Sequence, residues 1–237
     1  MTSAQLISWV VSAITFGTVI MFGCIGETIN QKAGNLNLGV PGIMQLGGIG
    51  ALTGAFIYES STATPNGTIG MIFALLCAIL ASALGSLIYS FLTVTLKANQ
   101  NVTGLTLTIF GTGIANFFGG SLMKLSGGVG SISVATTANV FKLRLPFISG
   151  KLGLFGSLFL NYGWMAYFCL ILAFVANYFL TKTRTGLNLR AVGENPATAD
   201  AAGINVTKYK YLASIIGGAI CGLGGLFYVM DYIQGTW

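Results

Sequence analysis

The sequence predicts an all-α, polytopic membrane protein with about six membrane segments, one or more of them broken or re-entrant. Three observations carry this. The chain is 54% apolar and only 7% charged, where a soluble domain has roughly a quarter of its residues charged. Its mean hydropathy is +0.81. Its apolar residues fall in runs long enough to cross a hydrocarbon core of about 30 Å, separated by polar or glycine-rich breaks. Glycine, 34 of 237 residues, suits close helix packing or interrupted helices.

Residues 6–25 are apolar and long enough to span. No Lys or Arg precedes them, so a spanning segment is predicted over a cleavable signal peptide. Residues 26–37 (GETINQKAGNLN) form a polar break. The apolar stretch 38–58 contains Pro41 and Gly42 near its start, which suggests a helix beginning late or a short re-entrant piece before it. Residues 59–68 (ESSTATPNGT) read as a turn-rich loop. Residues 69–96 form the longest clean apolar run, sufficient to span with tilt.

Residues 97–103 (KANQNVT) break the pattern. Residues 104–120 are apolar but laced with Thr106, Thr108, Thr112, Asn116 and glycines, and suit either a full span or a re-entrant segment. Residues 121–161 form a long irregular connection, in which the apolar stretch 152–159 is too short to span. Residues 162–181 span. Residues 183–211 (TRTGLNLRAVGENPATADAAGINVTKYKY) form a polar, basic island, and residues 212–233 span again.

Alternation across six crossings puts Lys32, Lys97, Lys182, Arg184, Arg190, Lys208 and Lys210 on the side of the island. Lys124, Lys142, Arg144 and Lys151 fall on the other. The excess of cations predicts that the island faces the cytoplasm and the N-terminus lies outside. The same logic assigns the net charge of +6 to membrane topology and not to nucleic-acid binding. The chain has no His, which excludes His-based proton relays, metal ligation and nucleophile activation. Cys24, Cys77, Cys169 and Cys221 lie far apart in apolar runs and read as small buried hydrophobes, not as a disulfide or metal set. No catalytic residue, metal site or cofactor is predicted.

Polar residues beside membrane segments are the candidate pathway. Glu27 is the acid nearest an apolar run, and reads as either a pathway residue or a helix-end carboxylate. Asn35, Asn37 and Gln45 flank the Pro41–Gly42 break. Amides there either line a pathway or satisfy freed backbone groups. Asn99, Gln100, Asn101 and Thr103, followed by Thr106 and Thr108, form an uncharged cluster. It suits a neutral, hydrogen-bonding solute or interhelical bonding. Gly111–Thr112–Gly113 has no following Lys, and no phosphate-binding loop is present. Within the island, Asn195 and Pro196 read as an N-cap and first helical residue. Residues 197–202 (ATADAA) follow, and Gly203 reads as a C-terminal stop. The short helix offers small residues and almost no apolar face, which suits a groove on a partner protein better than a lipid surface.

The run GLNLRAVGENPATADAAGINVTKYKYLASIIGGAICGLGGLFY resembles the cytoplasmic loop and following helix of bacterial ABC-importer permeases. The matching branch serves ribose and other simple sugars, branched-chain amino acids and nucleosides. In that family a run of the form R-A-x-G-x-N-x-x-A-A-x-x-x-G-I makes a coupling helix that docks on the ATPase. Its positions here are Arg190, Ala191, Gly193, Asn195, Ala199, Gly203 and Ile204, and Glu194, Pro196, Asp200 and Ala202 lie among them. Upstream, AGNLNLGVPGIMQLGGIGALTGA is similar to a second family segment, with Pro41 where many members carry Glu. That variant resembles one of the two permeases of nucleoside importers. NQNVTGLTLTIFGTG is a third, weaker match.

The resemblance covers nearly the whole chain. It implies a single transmembrane permease domain over residues 1–237 with a coupling loop at 183–211, in a bacterial plasma membrane. The implied partners are an ABC ATPase, a second homologous or identical permease, a substrate-binding lipoprotein and the lipid bilayer. The implied solute is a nucleoside; a simple sugar or a branched-chain amino acid is the alternative. Without the family, a secondary transporter or channel lacking an ATPase fits the same residues. Family members run on for several further apolar segments beyond the point where this sequence stops, so it is expected to be C-terminally truncated, or a non-transporting remnant.

Overall fold

The computed structural model describes residues 3–125, 132–142 and 162–237. These residues form nine α-helices: α1 (Ser3–Lys32), α2 (Val40–Ser61), α3 (Gly67–Ser90), α4 (Gln100–Leu125), α5 (Ala135–Phe141), α6 (Trp164–Lys182), α7 (Arg184–Glu194), α8 (Pro196–Ala201) and α9 (Val206–Phe227). Six of them, α1, α2, α3, α4, α6 and α9, are long and apolar enough to cross a membrane. The all-α polytopic architecture is therefore as expected, and no strand occurs among the described residues. π-helical turns at Phe91–Thr95 and Tyr228–Tyr232 prolong α3 and α9 and interrupt their regular bonding. The stretch 152–159 and the cations Arg144 and Lys151 lie outside the described residues.

Helix α9 is the axis of the bundle, packed by α1, α2 and α3. Helix α4 lies outside α2, and α6 outside α1. The core gathers Phe22, Leu52, Leu226, Phe227 and Met230, all fully buried. Lipid tails are as apolar as these side chains, so helix association here depends on close packing more than on removal from water. Small residues make that packing possible. A Cβ on Gly217 of α9 would fall 2.5 Å from the Gly26 carbonyl of α1. Gly47 of α2 meets the backbone of Gly222 in the same way. Outward, Leu80, Leu84, Ile171 and Phe174 are exposed, a band suited to lipid.

Several boundaries differ from the sequence expectation. Helix α1 does not stop at Ile25 but runs to Lys32, because Gly26 and Asn30 continue its face against Gly217 and Ser214 of α9. Helix α2 starts at Val40, with Pro41 in its first turn, where the missing N–H would have no intrahelical partner anyway. Residues 104–120 lie in a helix of spanning length. Helix α9 begins at Val206, capped by Asn205, and so takes Lys208 and Lys210 out of the island into a helical turn.

At one end of the bundle meet the C-termini of α1, α3 and α6, the N-termini of α2, α4 and α9, and all of α7 and α8. The opposite end holds α5, whose first turn donates from Thr137 N to Glu59 at 2.7 Å. There the C-terminal residues also pair with 132–134, through Val134 N to Gly235 O at 3.0 Å and Trp237 N to Ile132 O at 3.2 Å.

Candidate functional site

The island folds into α7, α8 and the first turns of α9, and its own side chains set each boundary. Thr183 accepts from Gly186 N at 3.0 Å and starts α7. Leu189 and Val192 bury one face of α7. Asn195 ends α7 by donating its N–H to Ala191 O at 3.0 Å, and starts α8 by accepting from Thr198 N at 3.1 Å. Pro196 occupies the first position of α8. Gly203 takes a left-handed φ of +81°, which lets Ile204 N donate back to Ala199 O at 3.0 Å. Asn205 then accepts from Lys208 N at 2.9 Å and opens α9. One Asn cap and one Gly stop therefore define α8 as a single turn-and-a-half of helix, exposed on its outer face.

Within the expected coupling set, the residues divide by exposure. Glu194, Asn195, Pro196, Asp200, Ala202 and Gly203 are exposed. Ala199 is turned inward, 3% exposed. Gly193 is not on the outer face at all. It abuts the Lys32 carbonyl, and a Cβ there would fall 3.0 Å from Gly34 N. Arg190 is half-buried against α1 and α6.

The partner of Gly193 is the turn 33–39 between α1 and α2, and side chains of several helices bond to this turn. Gly34 bends it with φ +79°. Glu27 accepts from Asn37 N at 2.9 Å and from Asn30 Nδ2 at 3.3 Å. Asn37 caps Gly39 N at 2.8 Å. Asn35, 1% exposed, donates to Ser214 Oγ at 3.2 Å and to Lys210 O at 3.3 Å, and Ser214 donates on to Asn30 Oδ1 at 2.7 Å. Tyr89 of α3 donates to Leu36 O at 2.7 Å. Gln100 of α4 accepts from Leu36 N at 2.8 Å. One seven-residue turn thus ties α1, α3, α4 and α9 together next to the end of α7.

The structure bonds Glu27, Asn35 and Asn37 of the expected pathway set into one turn, and places Asn99, Asn101, Thr103 and Thr106 at the start of α4, where Gln100 and Gly104 pack on that turn. Asn35 and Asn37 are buried: Asn35 Nδ2 donates to Lys210 O and Ser214 Oγ while its Oδ1 has no partner among the described residues, and Asn37 Oδ1 accepts from Gly39 N. Glu27 is half-buried and also lines a cavity of about 520 Å³ between α1 and α2, with Cys24, Thr28, Gln31, Pro41 and Met44. Gln45 is exposed on α2. Asn99 caps α4, accepting from Asn101 N at 3.0 Å and Val102 N at 3.2 Å. Asn101 is exposed, Thr103 is buried, and exposed Thr106 donates to its own helix at Val102 O. Asn30, Tyr89 and Ser214 were not singled out by the sequence. Tyr89 and Ser214 are each one polar residue in an apolar run and Asn30 is one of several in the polar break 26–37, and only the crossing of α1, α3 and α9 gives each its role.

The chain matches over residues 9–237 the family model described as "Branched-chain amino acid transport system / permease component". It is 32% identical over 224 residues to the putative glucose ABC transporter permease protein TsgC13 of Haloferax volcanii, covering 94% of this chain and 63% of that one. It is 29% identical to the nucleoside ABC transporter permease protein NupC of Lactococcus lactis, covering 92% of this chain and 66% of the relative. It is 28% identical to the guanosine ABC transporter permease protein NupQ of Bacillus subtilis, covering 100% and 73%. The chain thus spans about two thirds of the length of these relatives. No solved structure matches it.

Proposed function

This chain belongs to the family of permease components of branched-chain amino acid transport systems, and on that premise we propose that it is a transmembrane permease subunit of an ATP-driven importer, with nucleosides as its solute. Family and spanning helices together make it a multi-pass plasma-membrane protein. The observation that carries the proposal is α8, an exposed helix of small residues with a side-chain cap at its start and a glycine stop at its end. Such a helix offers a partner a shaped surface and offers lipid almost nothing apolar.

The partner in this reading is an ATPase, and the cytoplasmic side is the side of α8. The cation distribution supports that orientation. Lys32, Lys97, Lys182, Arg184, Arg190, Lys208 and Lys210 gather at the α8 end, while Lys124 and Lys142 are the cations at the other end among the described residues. ATP binding and hydrolysis belong to the partner. Their energy reaches this subunit as a difference in contact between α8 and the two ATPase conformations. A second permease completes the pathway, and a substrate-binding lipoprotein delivers the solute.

Nucleosides are favoured by the printed specificities of NupC and NupQ and by the Pro41 variant at the start of α2. A simple sugar is the second reading, favoured by the glucose permease among the relatives. Uptake of labelled purine nucleoside and of labelled glucose, compared in cells with and without the gene, separates them. Loss of nucleoside uptake alone is expected. Loss of glucose uptake alone transfers the assignment to sugar, and no change in either removes both.

A further inference from the structure

Gly186, Arg190 and Gly193 lie on one stripe of α7, spaced i, i+4 and i+7. The two glycines are backbone contacts to different helices. A Cβ on Gly186 would fall 2.8 Å from Leu180 Cα at the end of α6. A Cβ on Gly193 would fall 3.0 Å from Gly34 N, just past the end of α1. Arg190 sits between them, so its side chain is held over the seam where α6 meets α1. A cavity of about 390 Å³ lies in that seam, lined by Thr28 and Lys32 of α1, Ala176, Asn177 and Thr181 of α6, and Arg190 itself.

Two cations therefore face one cavity, and no carboxylate neutralises them. Neither Lys32 nor Arg190 makes an ion pair among the described residues. Glu27, the acid nearest on α1, has both oxygens engaged by Asn37 and Asn30. Glu194, one turn along α7, is exposed and unpaired. The side-chain amide of Asn177 is also uncommitted. The hydroxyls of Thr28 and Thr181 bond to their own helices at 2.7 Å. Deeper along the two helices the walls are apolar, from Ile25, Ala173 and Ala176, and Leu180 adds apolar surface beside Thr181. The cavity spans the last turns of two membrane-crossing helices, a depth of about 10 Å.

A polar, doubly cationic mouth above an apolar slot has the shape of a phospholipid at the membrane interface. We infer that this seam binds an anionic phospholipid, its phosphate held between Lys32 and Arg190 and an acyl chain lying along the α1–α6 groove. Charge complementarity selects the lipid. A zwitterionic headgroup brings its own cation and gains less from two unpaired cations, and a free phosphate does not fill the apolar slot. The lipid would then tie α7, which leads into α8, to the end of α1. The inference requires membrane insertion but not the transport reading.

The test uses the full chain purified in detergent and incubated with phosphatidylglycerol or phosphatidylethanolamine, with lipid retained after washing read by native mass spectrometry. Phosphatidylglycerol should be retained on the order of tenfold over phosphatidylethanolamine. The double variant Lys32→Gln/Arg190→Gln should fall to the phosphatidylethanolamine level. Lys97→Gln/Lys208→Gln removes two cations from the same end but outside the seam, and should retain the lipid. Millimolar inorganic phosphate should not displace it. Equal retention of the two lipids, or equal loss in both double variants, would overturn the site in favour of general surface attraction. Displacement by inorganic phosphate would overturn it in favour of a free-anion site. Photoactivatable phosphatidylglycerol supplies a readout that needs no variant: crosslinks should map to residues 25–32 and 173–181, and crosslinks confined elsewhere contradict the inference.

Discussion

Gly34 and Gly193 pack backbone against backbone: a Cβ on Gly34 would stand 3.2 Å from both the Cα and the carbonyl oxygen of Gly193. Through this contact the end of α7 rests on the turn between α1 and α2. That turn is bonded in addition to Tyr89 of α3, Gln100 of α4 and Ser214 of α9. The exposed helix α8 begins at Pro196, two residues beyond the end of α7. This contact thus joins the α7–α8 segment to the spanning helices, alongside the packing of Gly186 on the end of α6 and the short connection from α8 into α9.

Enlarging either glycine should loosen that junction. Gly193→Val forces the side chain into the Lys32 carbonyl, and overpacking of this kind costs about 1–3 kcal/mol. Gly34→Val meets the same crowding from a left-handed φ, which adds roughly 1–2 kcal/mol for a residue with a Cβ. Gly203→Ala is the comparison, because φ is again positive but nothing lies within 4 Å. Thermal unfolding in detergent should rank Gly203→Ala as the mildest. A Gly193→Val protein as stable as the parent contradicts the close approach.

Asn35 and Ser214 should be energetically coupled. Asn35 donates to Ser214, which donates to Asn30, and all three are buried. Removing one partner leaves buried polar groups unmatched, at about 1–3 kcal/mol. A double-mutant cycle of Asn35→Ala and Ser214→Ala should give a coupling of about 0.5–3 kcal/mol. Strict additivity of the two changes in unfolding free energy rules out the network.

Glu27 bonds the 33–39 turn beside a cavity and Asn99 caps α4, and paired variants should separate a pathway role from a structural one. Glu27→Gln keeps the side-chain shape and an acceptor for Asn37 N but turns an NH2 toward Asn30 Nδ2, so it should lower solute uptake at a stability cost of about 1 kcal/mol for the one lost bond. Asn99→Ala removes the cap of α4 and should cost roughly 1 kcal/mol of stability, with the solute concentration for half-maximal uptake unchanged. Uptake kinetics and thermal unfolding on both variants decide it. Unaltered uptake in Glu27→Gln removes Glu27 from the pathway.

The lipid-facing runs and the local caps were legible in the sequence because each is a local signal. Hydropathy finds the spans, and Asn195, Pro196 and Gly203 act on neighbours within four residues. The continuation of α1 to Lys32 was not legible. Residues 26–32 are polar, and it is Gly217 and Ser214, far along the chain, that pack them into a helix. For the same reason the bonds of Asn35 to Ser214 and Lys210, and of Asn37 to Gly39, were not legible: the sequence leaves pathway lining and backbone satisfaction equally open there. Arg190, a member of the expected coupling set, faces the α1–α6 seam, because Gly186 and Gly193 on either side fix how α7 lies.

The most direct test of the central claim is co-purification of an ATPase with the affinity-tagged chain from its native membranes. Ala199, nearly buried, is a poor reporter, since Ala199→Arg would distort α8 itself. Ala197 and Ala201 are exposed, so Ala197→Arg/Ala201→Arg alters the surface of the helix and spares its caps. The unaltered chain should bring down an ATPase, and this double variant, equally stable in thermal unfolding, should not. An ATPase retained in full by the folded double variant, or absent from the unaltered chain, contradicts coupling through α8.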